Sequence, residues 1–167
     1  MICVIARLSP DADEKLQAIR KAALPEQSFP ALHGHITLAS YLPEESSAFV
    51  QACRKMFRGI HSFSVRYEKI EVLSETSIIV AVPAESEILD SLHALMVKAF
   101  GSSMDFWTGG NNWRPHTTLL YDPEADLDAA CRAMQQRFVP FDAWICQIEL
   151  SKVEKTGYTV LETIVLS

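Results

Sequence analysis

The sequence predicts an α+β protein made by internal duplication: two similar lobes of sheet and helix, related by a pseudo-twofold axis, around a central cleft. Two observations carry that prediction. The first is a repeated signal: His35-Ile36-Thr37-Leu38 and His116-Thr117-Thr118-Leu119 stand 81 residues apart in a chain of 167. The second is that the flanks of the two copies align. At a constant offset of 78, Ala52-Cys53-Arg54 matches Ala130-Cys131-Arg132, Met56 matches Met134, Phe63 matches Phe141, and Ile70-Glu71 matches Ile148-Glu149. The offset drifts to 80 at Pro43-Glu44 and Pro123-Glu124 and to 81 at the histidines, which small deletions after the second motif accommodate. The chain 1–167 therefore reads as one domain of two repeated halves, about 1–76 and 77–167.

The elements follow in order. Ile2 to Leu8 is a short apolar strand. Ser9-Pro10 then reads as an N-cap with proline at the first helical position, acids in the first turn, and Ala12, Leu16, Ile19 and Ala23 at helical spacing. After a loop with Pro25 and Pro30, Gly34 to Ser40 forms the first histidine strand. Pro43-Glu44-Glu45 opens a second helix with Phe49, Cys53, Met56 and Phe57 inward, and Phe63 to Val72 and Ser77 to Val82 are strands. The second half repeats the plan. Ile88, Leu92, Leu95, Met96 and Ala99 mark a helix, and His116 to Leu120 is the second histidine strand. A helix from Pro123-Glu124 carries Leu127, Ala130, Cys131, Met134 and Phe138. Strands Phe141 to Leu150 and Tyr158 to Leu166 close the chain around Lys155-Thr156-Gly157. The long irregular stretch from Gly101 to Arg114 leads straight into His116 and is expected beside the cleft.

Composition removes several function classes. With 49% hydrophobic and 22% charged residues, this is an ordinary globular chain. Its opening apolar run is cut by Arg7 and lacks the pattern of a signal peptide, and no apolar stretch approaches the roughly 20 residues of a membrane span. Cys3, Cys53, Cys131 and Cys146 have no paired CxxC spacing, so neither a disulfide framework nor a zinc site is expected, and a reducing cytoplasm fits. A net charge of −6 argues against an extended nucleic-acid surface but leaves room for a nucleotide or a short RNA end in a local pocket.

Because a strand has a period of two, His35 and Thr37 share one face, as do His116 and Thr118. Facing each other across a cleft, two imidazoles and two hydroxyls supply an acid, a base and donors for chemistry at a phosphate. The plain alternative, histidines satisfied at strand ends and β-favouring threonines, does not account for two aligned copies. Around these four, His33 and Arg114 are expected to flank the cleft and hold an anion. Tyr41 continues the face of His35 and Thr37 in a regular strand, whereas Tyr121 falls on the face opposite His116 and Thr118. Trp107 and Trp113, in the irregular stretch, suit either stacking on a nucleobase or anchoring the loop by packing. A metal bound by His33 and His35 is the alternative. It wants a nearby carboxylate or cysteine, and none recurs at matching repeat positions, so no metal and no cofactor are expected. His61 and His93 have no repeat partner, and His93 borders an apolar helix stripe.

The paired motifs, with Trp113-Arg114-Pro115 ahead of the second, resemble the two-histidine phosphoesterase superfamily. Its bacterial branch includes the RNA 2′,3′-cyclic phosphodiesterases, also called 2′-5′ RNA ligases. The resemblance spans nearly the whole chain and implies the duplicated bilobal fold, with His35, Thr37, His116 and Thr118 as the catalytic set. It implies a metal-independent hydrolase that opens a 2′,3′-cyclic phosphate on RNA ends or nucleotides, and so a place in RNA processing. The alternatives are 2′-5′ oligonucleotides, ADP-ribose cyclic phosphates, or a nucleotide- or RNA-end-binding module with little catalysis. Two departures stand out: Gly34 where many members have proline, and Thr117 where a hydrophobic residue is usual.

Overall fold

In the computed structural model, which describes residues 1–25, 33–43, 45–154 and 157–167, each half runs strand, helix, strand, helix, strand. The first half holds β1 (Ile2–Leu8), α1 (Pro10–Ala23), β2 (His35–Tyr41), α2 (Ser47–Phe57) and β3 (Phe63–Val72). The second holds β4 (Ile78–Pro83), α3 (Glu87–Phe100), β5 (Thr117–Tyr121), α4 (Leu127–Gln135) and β6 (Phe141–Glu154), followed by an additional strand, β7 (Gly157–Val165). Pro30, Glu44 and Lys155-Thr156, named among the sequence expectations, lie outside the described residues.

All strand pairs are antiparallel, in the order β2-β1-β6-β3-β4-β5, with β7 also on β6. Ile145 of β6 pairs with Leu8 on one edge and Phe63 on the other. The rest of that second edge carries β7, so β3 and β7 lie end to end, joined where Ser62 N–H donates to the Ser167 carbonyl at 2.9 Å. The pseudo-twofold is readable in the register. Val65 faces Ala143, its own equivalent at the offset of 78, and the pairs Phe63–Ile145 and Tyr67–Phe141 exchange under the same operation.

The lobes are not the sequence halves. One lobe joins β1 and β2 to the later part of β6 and β7, with α2 against β7 and α3 against β2. The other joins β4 and β5 to β3 and the start of β6, with α4 on β3 and β4 and α1 on β5 and α4. Each half thus lends strand and helix to the other's lobe, and one buried cluster runs through both. Burying a large apolar side chain such as Leu16, Phe57 or Met134 stabilises by about 1.5–3 kcal/mol each, so the shared core binds the halves together.

Two helices begin later than their sequence signals. Helix α4 starts at Leu127 because the Asp126 carboxylate accepts from Ala129 N–H at 3.0 Å, while Asp122 accepts from Glu124 N–H and keeps 122–125 as a turn. Helix α2 starts at Ser47 rather than at Pro43, and Phe138 lies beyond the end of α4 in a turn. Gly34 has a definite reason to be glycine. Its N–H donates to Asp13 Oδ1 at 2.8 Å, and a Cβ there would stand 2.9 Å from that oxygen. Proline would lose this bond, which pins the entry of β2 to the first turn of α1. Among the described residues no helix is long and apolar enough to cross a membrane.

Candidate active site

The two histidine strands come together where the sheet curls round on itself, β2 lying beside β5. Thr117 makes the join. Its hydroxyl donates to the His35 carbonyl at 2.9 Å and, its one proton being used there, accepts from the Tyr67 hydroxyl at 2.5 Å. Tyr67 and Thr117 are both buried, and burial pushes the Tyr67 phenol well above its usual range. A hydroxyl at the hydrophobic position of the motif is therefore satisfied on both sides and couples the half-sites. Trp113 adds a second brace, its indole N–H donating to the Thr37 carbonyl at 2.8 Å. Its ring stacks on His93 at 4.0 Å, and His93 Nδ1 donates to the Leu38 carbonyl at 2.9 Å.

The two imidazoles are held alike. His35 Nδ1 is 2.9 Å from the His33 carbonyl, and His116 Nδ1 is 2.7 Å from the Arg114 carbonyl. A carbonyl only accepts, so both Nδ1 atoms carry their proton and both Nε2 atoms are the unprotonated nitrogens of the neutral rings. Burial holds both imidazoles below the ordinary histidine range, against the pull of those carbonyl bonds. Charge on His33 and on His116 lowers His35 further, and Glu149 raises it.

Thr37 lies on the His35 face of β2, since Thr37 pairs with Ile5 and His35 with Arg7. Thr118 is exposed on β5, with Thr117 buried behind it. The tyrosines depart from expectation in both halves, for one reason. A bulge shifts the register between Val4 and Ile5 opposite β2, and another between Ile79 and Val80 opposite β5. Each bulge reverses the side-chain alternation. Tyr41 therefore turns to the core face, stacked on Phe49 at 3.9 Å and edge-on to Phe100, away from Thr37. Tyr121 turns the other way, onto the face of Thr118, and is 69% exposed. The signal was present: Leu38-Ala39 and Leu119-Leu120 are adjacent buried pairs that break alternation at equivalent positions.

The Arg114 side chain is exposed, and its carbonyl orients His116. His33 orients His35 in the same way, and its ring stands edge-on to His35 at 6.3 Å, with Nε2 3.5 Å from Glu149 Oε2. Trp113 is committed to bracing β2, so one face of its ring is covered by His93 rather than free for a base. Trp107 is 59% exposed and edge-on to Phe106, itself 68% exposed. Their loop follows the edge of β2: Asp105 N–H donates to the Ser40 carbonyl, and Ser40 N–H to Thr108 Oγ1. Arg7 and Glu149, on the His35 face, are residues that motif reading missed, and Tyr121, read onto the opposite face, lies on that of Thr118. Among the described residues no group of three or more His, Cys, Asp or Glu side chains is placed to share a metal ion.

Comparison with known proteins agrees with this fold. The family model of the 2′-5′ RNA ligase superfamily matches residues 8–157. No curated protein matches the sequence. Among solved structures, TT0787 of Thermus thermophilus superposes with a TM-score of 0.70 at 19% identity, over 99% of this chain and 97% of that one. E. coli LigT complexed with 3′-AMP gives 0.68 at 16% identity, over 99% and 96%. LigT complexed with NADP+ gives 0.67 at 18%, over the same shares. With a family match over most of its length and the duplicated fold in place, the chain belongs to the 2′-5′ RNA ligase superfamily of two-histidine phosphoesterases.

Proposed function

We propose that this protein is a metal-independent phosphodiesterase that opens 2′,3′-cyclic phosphates on RNA ends or nucleotides, with His35 and His116 as its acid–base pair and Thr37 and Thr118 as donors to the phosphoryl oxygens. The observation that carries this reading is the matched tautomer: each half-site spends Nδ1 on a carbonyl and presents Nε2. In the proposed step the neutral imidazole takes a proton from water as its oxygen bonds to phosphorus. The protonated imidazole gives its proton to the departing ribose oxygen, so one proton enters and one leaves. Charge gathers on the non-bridging oxygens, where hydroxyl donors are worth most. The nucleotides held by E. coli LigT, 3′-AMP and NADP+, support a nucleotide ligand. Exposed Trp107, Phe106 and Tyr121 offer aromatic faces to its base.

The test is a substrate panel in excess chelator: 2′,3′-cyclic nucleotides, RNA ending in a cyclic phosphate, and 2′-5′ dinucleotides, with products assigned by phosphorus NMR. Opening of the cyclic phosphate to one monoester is the expected result. Turnover of 2′-5′ dinucleotides alone, or only after a divalent ion is restored, would contradict it.

A further inference from the structure

The two half-sites differ one strand away from the histidines. Arg7 of β1 is the register partner of His35, so the two side chains leave the same face of the sheet. In the other half Val80 faces Thr118 as Ile5 faces Thr37, which makes Val82 the counterpart of Arg7. Lys69 of β3, the register partner of Val82, lies a strand further out and is tied to Glu71 at 2.7 Å. On the neighbouring strand the His35 side therefore carries an arginine where the His116 side has Val82, while Arg114 precedes His116 in the loop before β5.

Arg7 is held in place from beneath. Its Nη1 lies 3.5 Å from Oε2 of Glu149, on the β6 side of β1 and away from β2. Glu149 is 2% exposed, accepts from Ser151 Oγ at 2.6 Å, and has His33 Nε2 3.5 Å from the same Oε2. The Arg7 side chain keeps 40% of its surface open. The buried carboxylate attracts the half-open guanidinium by charge through Nη1, and the remaining N–H donors are left for an anion. Arg7 lies on β1, between β2 with His35 and β6 with Glu149, paired strands being about 5 Å apart, and β5 approaches β2 without pairing with it. A phosphorus held between the two imidazoles is on the far side of His35 from Arg7.

We propose that Arg7, oriented by Glu149, holds a second, non-reacting phosphate, so that the preferred substrate is an RNA end of two or more nucleotides with its upstream chain laid over β1. This rests on the cyclic phosphodiesterase reading. The arginine gives the pseudo-symmetric cleft a direction.

The experiment compares 2′,3′-cyclic AMP with a diadenylate ending in a 2′,3′-cyclic phosphate, for the wild type, Arg7→Met, Arg7→Lys and Glu149→Gln. Binding of 3′-AMP and of a 3′-phosphorylated diadenylate is measured alongside. The wild type should favour the dinucleotide in kcat/KM. Arg7→Met should shrink that preference roughly 10–100-fold, the range for a hydrogen bond to a charged group, chiefly through KM. Its dinucleotide affinity should lose about 0.7 from the log–log salt slope. Arg7→Lys should keep part of the preference and Glu149→Gln should weaken it. Equal kcat/KM for both substrates in the wild type, or an equal loss on both in Arg7→Met, would overturn the role of Arg7 and leave the phosphodiesterase reading standing. No turnover of either substrate would instead sink that reading, and the binding comparison would still decide Arg7.

Discussion

At the scale of single residues, the proposed reaction depends on the protonation state of the two imidazoles. Each has its Nδ1 proton spent on a carbonyl and its pKa held down by burial. A histidine with a lowered pKa is neutral above it, so the base is ready at neutral pH while the acid is the scarcer form. Rate should fall as pH rises through the higher of the pair's two pKa values and fall again as pH drops below the lower. Since both are shifted below 6.5, the kcat/KM optimum should lie on the acid side of 6.5. A pH–rate profile checks this, and an optimum above about pH 7.5 would contradict it. The threonines act on a different quantity. Thr37→Val and Thr118→Val should keep the fold and lower kcat by more than they raise KM, because the hydroxyls matter most as charge develops. Steady-state kinetics with a thermal melt for each variant would show a pure KM effect if their role were only ground-state binding.

At the scale of elements, the strands and helices were legible because each carries its own periodicity. Phe63–Val72 is a strand at the bounds its alternation predicted, and Pro10 opens α1 where the proline signal put it. The tyrosine faces were misread for a physical reason: register is a property of a strand pair, and a bulge is seen only when the partner is present. The Thr117 contact was equally out of reach, since Tyr67 approaches it from 50 residues away. That contact makes a prediction of its own. Tyr67→Phe leaves the buried Thr117 oxygen short of a donor and should cost about 1–3 kcal/mol, as should Thr117→Val. The double variant should cost less than the two together, with a coupling of about 0.5–3 kcal/mol in urea denaturation. Strict additivity would mean that the hydroxyls do not act as one unit.

At the scale of the whole molecule, the duplication was visible in the offsets, but the exchange of strands between halves was not. Offsets equate positions; they say nothing about which copy of a strand pairs with which. In the fold β1 takes β6 as its neighbour and β4 takes β3, and Val65 meets Ala143 at the axis. Neither 1–76 nor 77–167 holds a complete lobe, so each half expressed alone should lack cooperative unfolding by circular dichroism. A sharp melt from either half would show that the lobes are independent. The exchange also explains how two strands from distant halves of the chain come to lie side by side, with His35 on one and His116 immediately before the other.

That one site is made from two halves is the central claim, and a double-mutant cycle on the histidines tests it most directly. The measurement is single-turnover hydrolysis of a 2′,3′-cyclic nucleotide by wild type, His35→Ala, His116→Ala and the double variant, each shown to be folded. Either single replacement should cost roughly 10²–10⁴-fold, and the double should be little worse than the more impaired single, as for groups that act as a unit. Near-normal turnover in the folded double variant would contradict it, making the repeated motif scaffold rather than machinery.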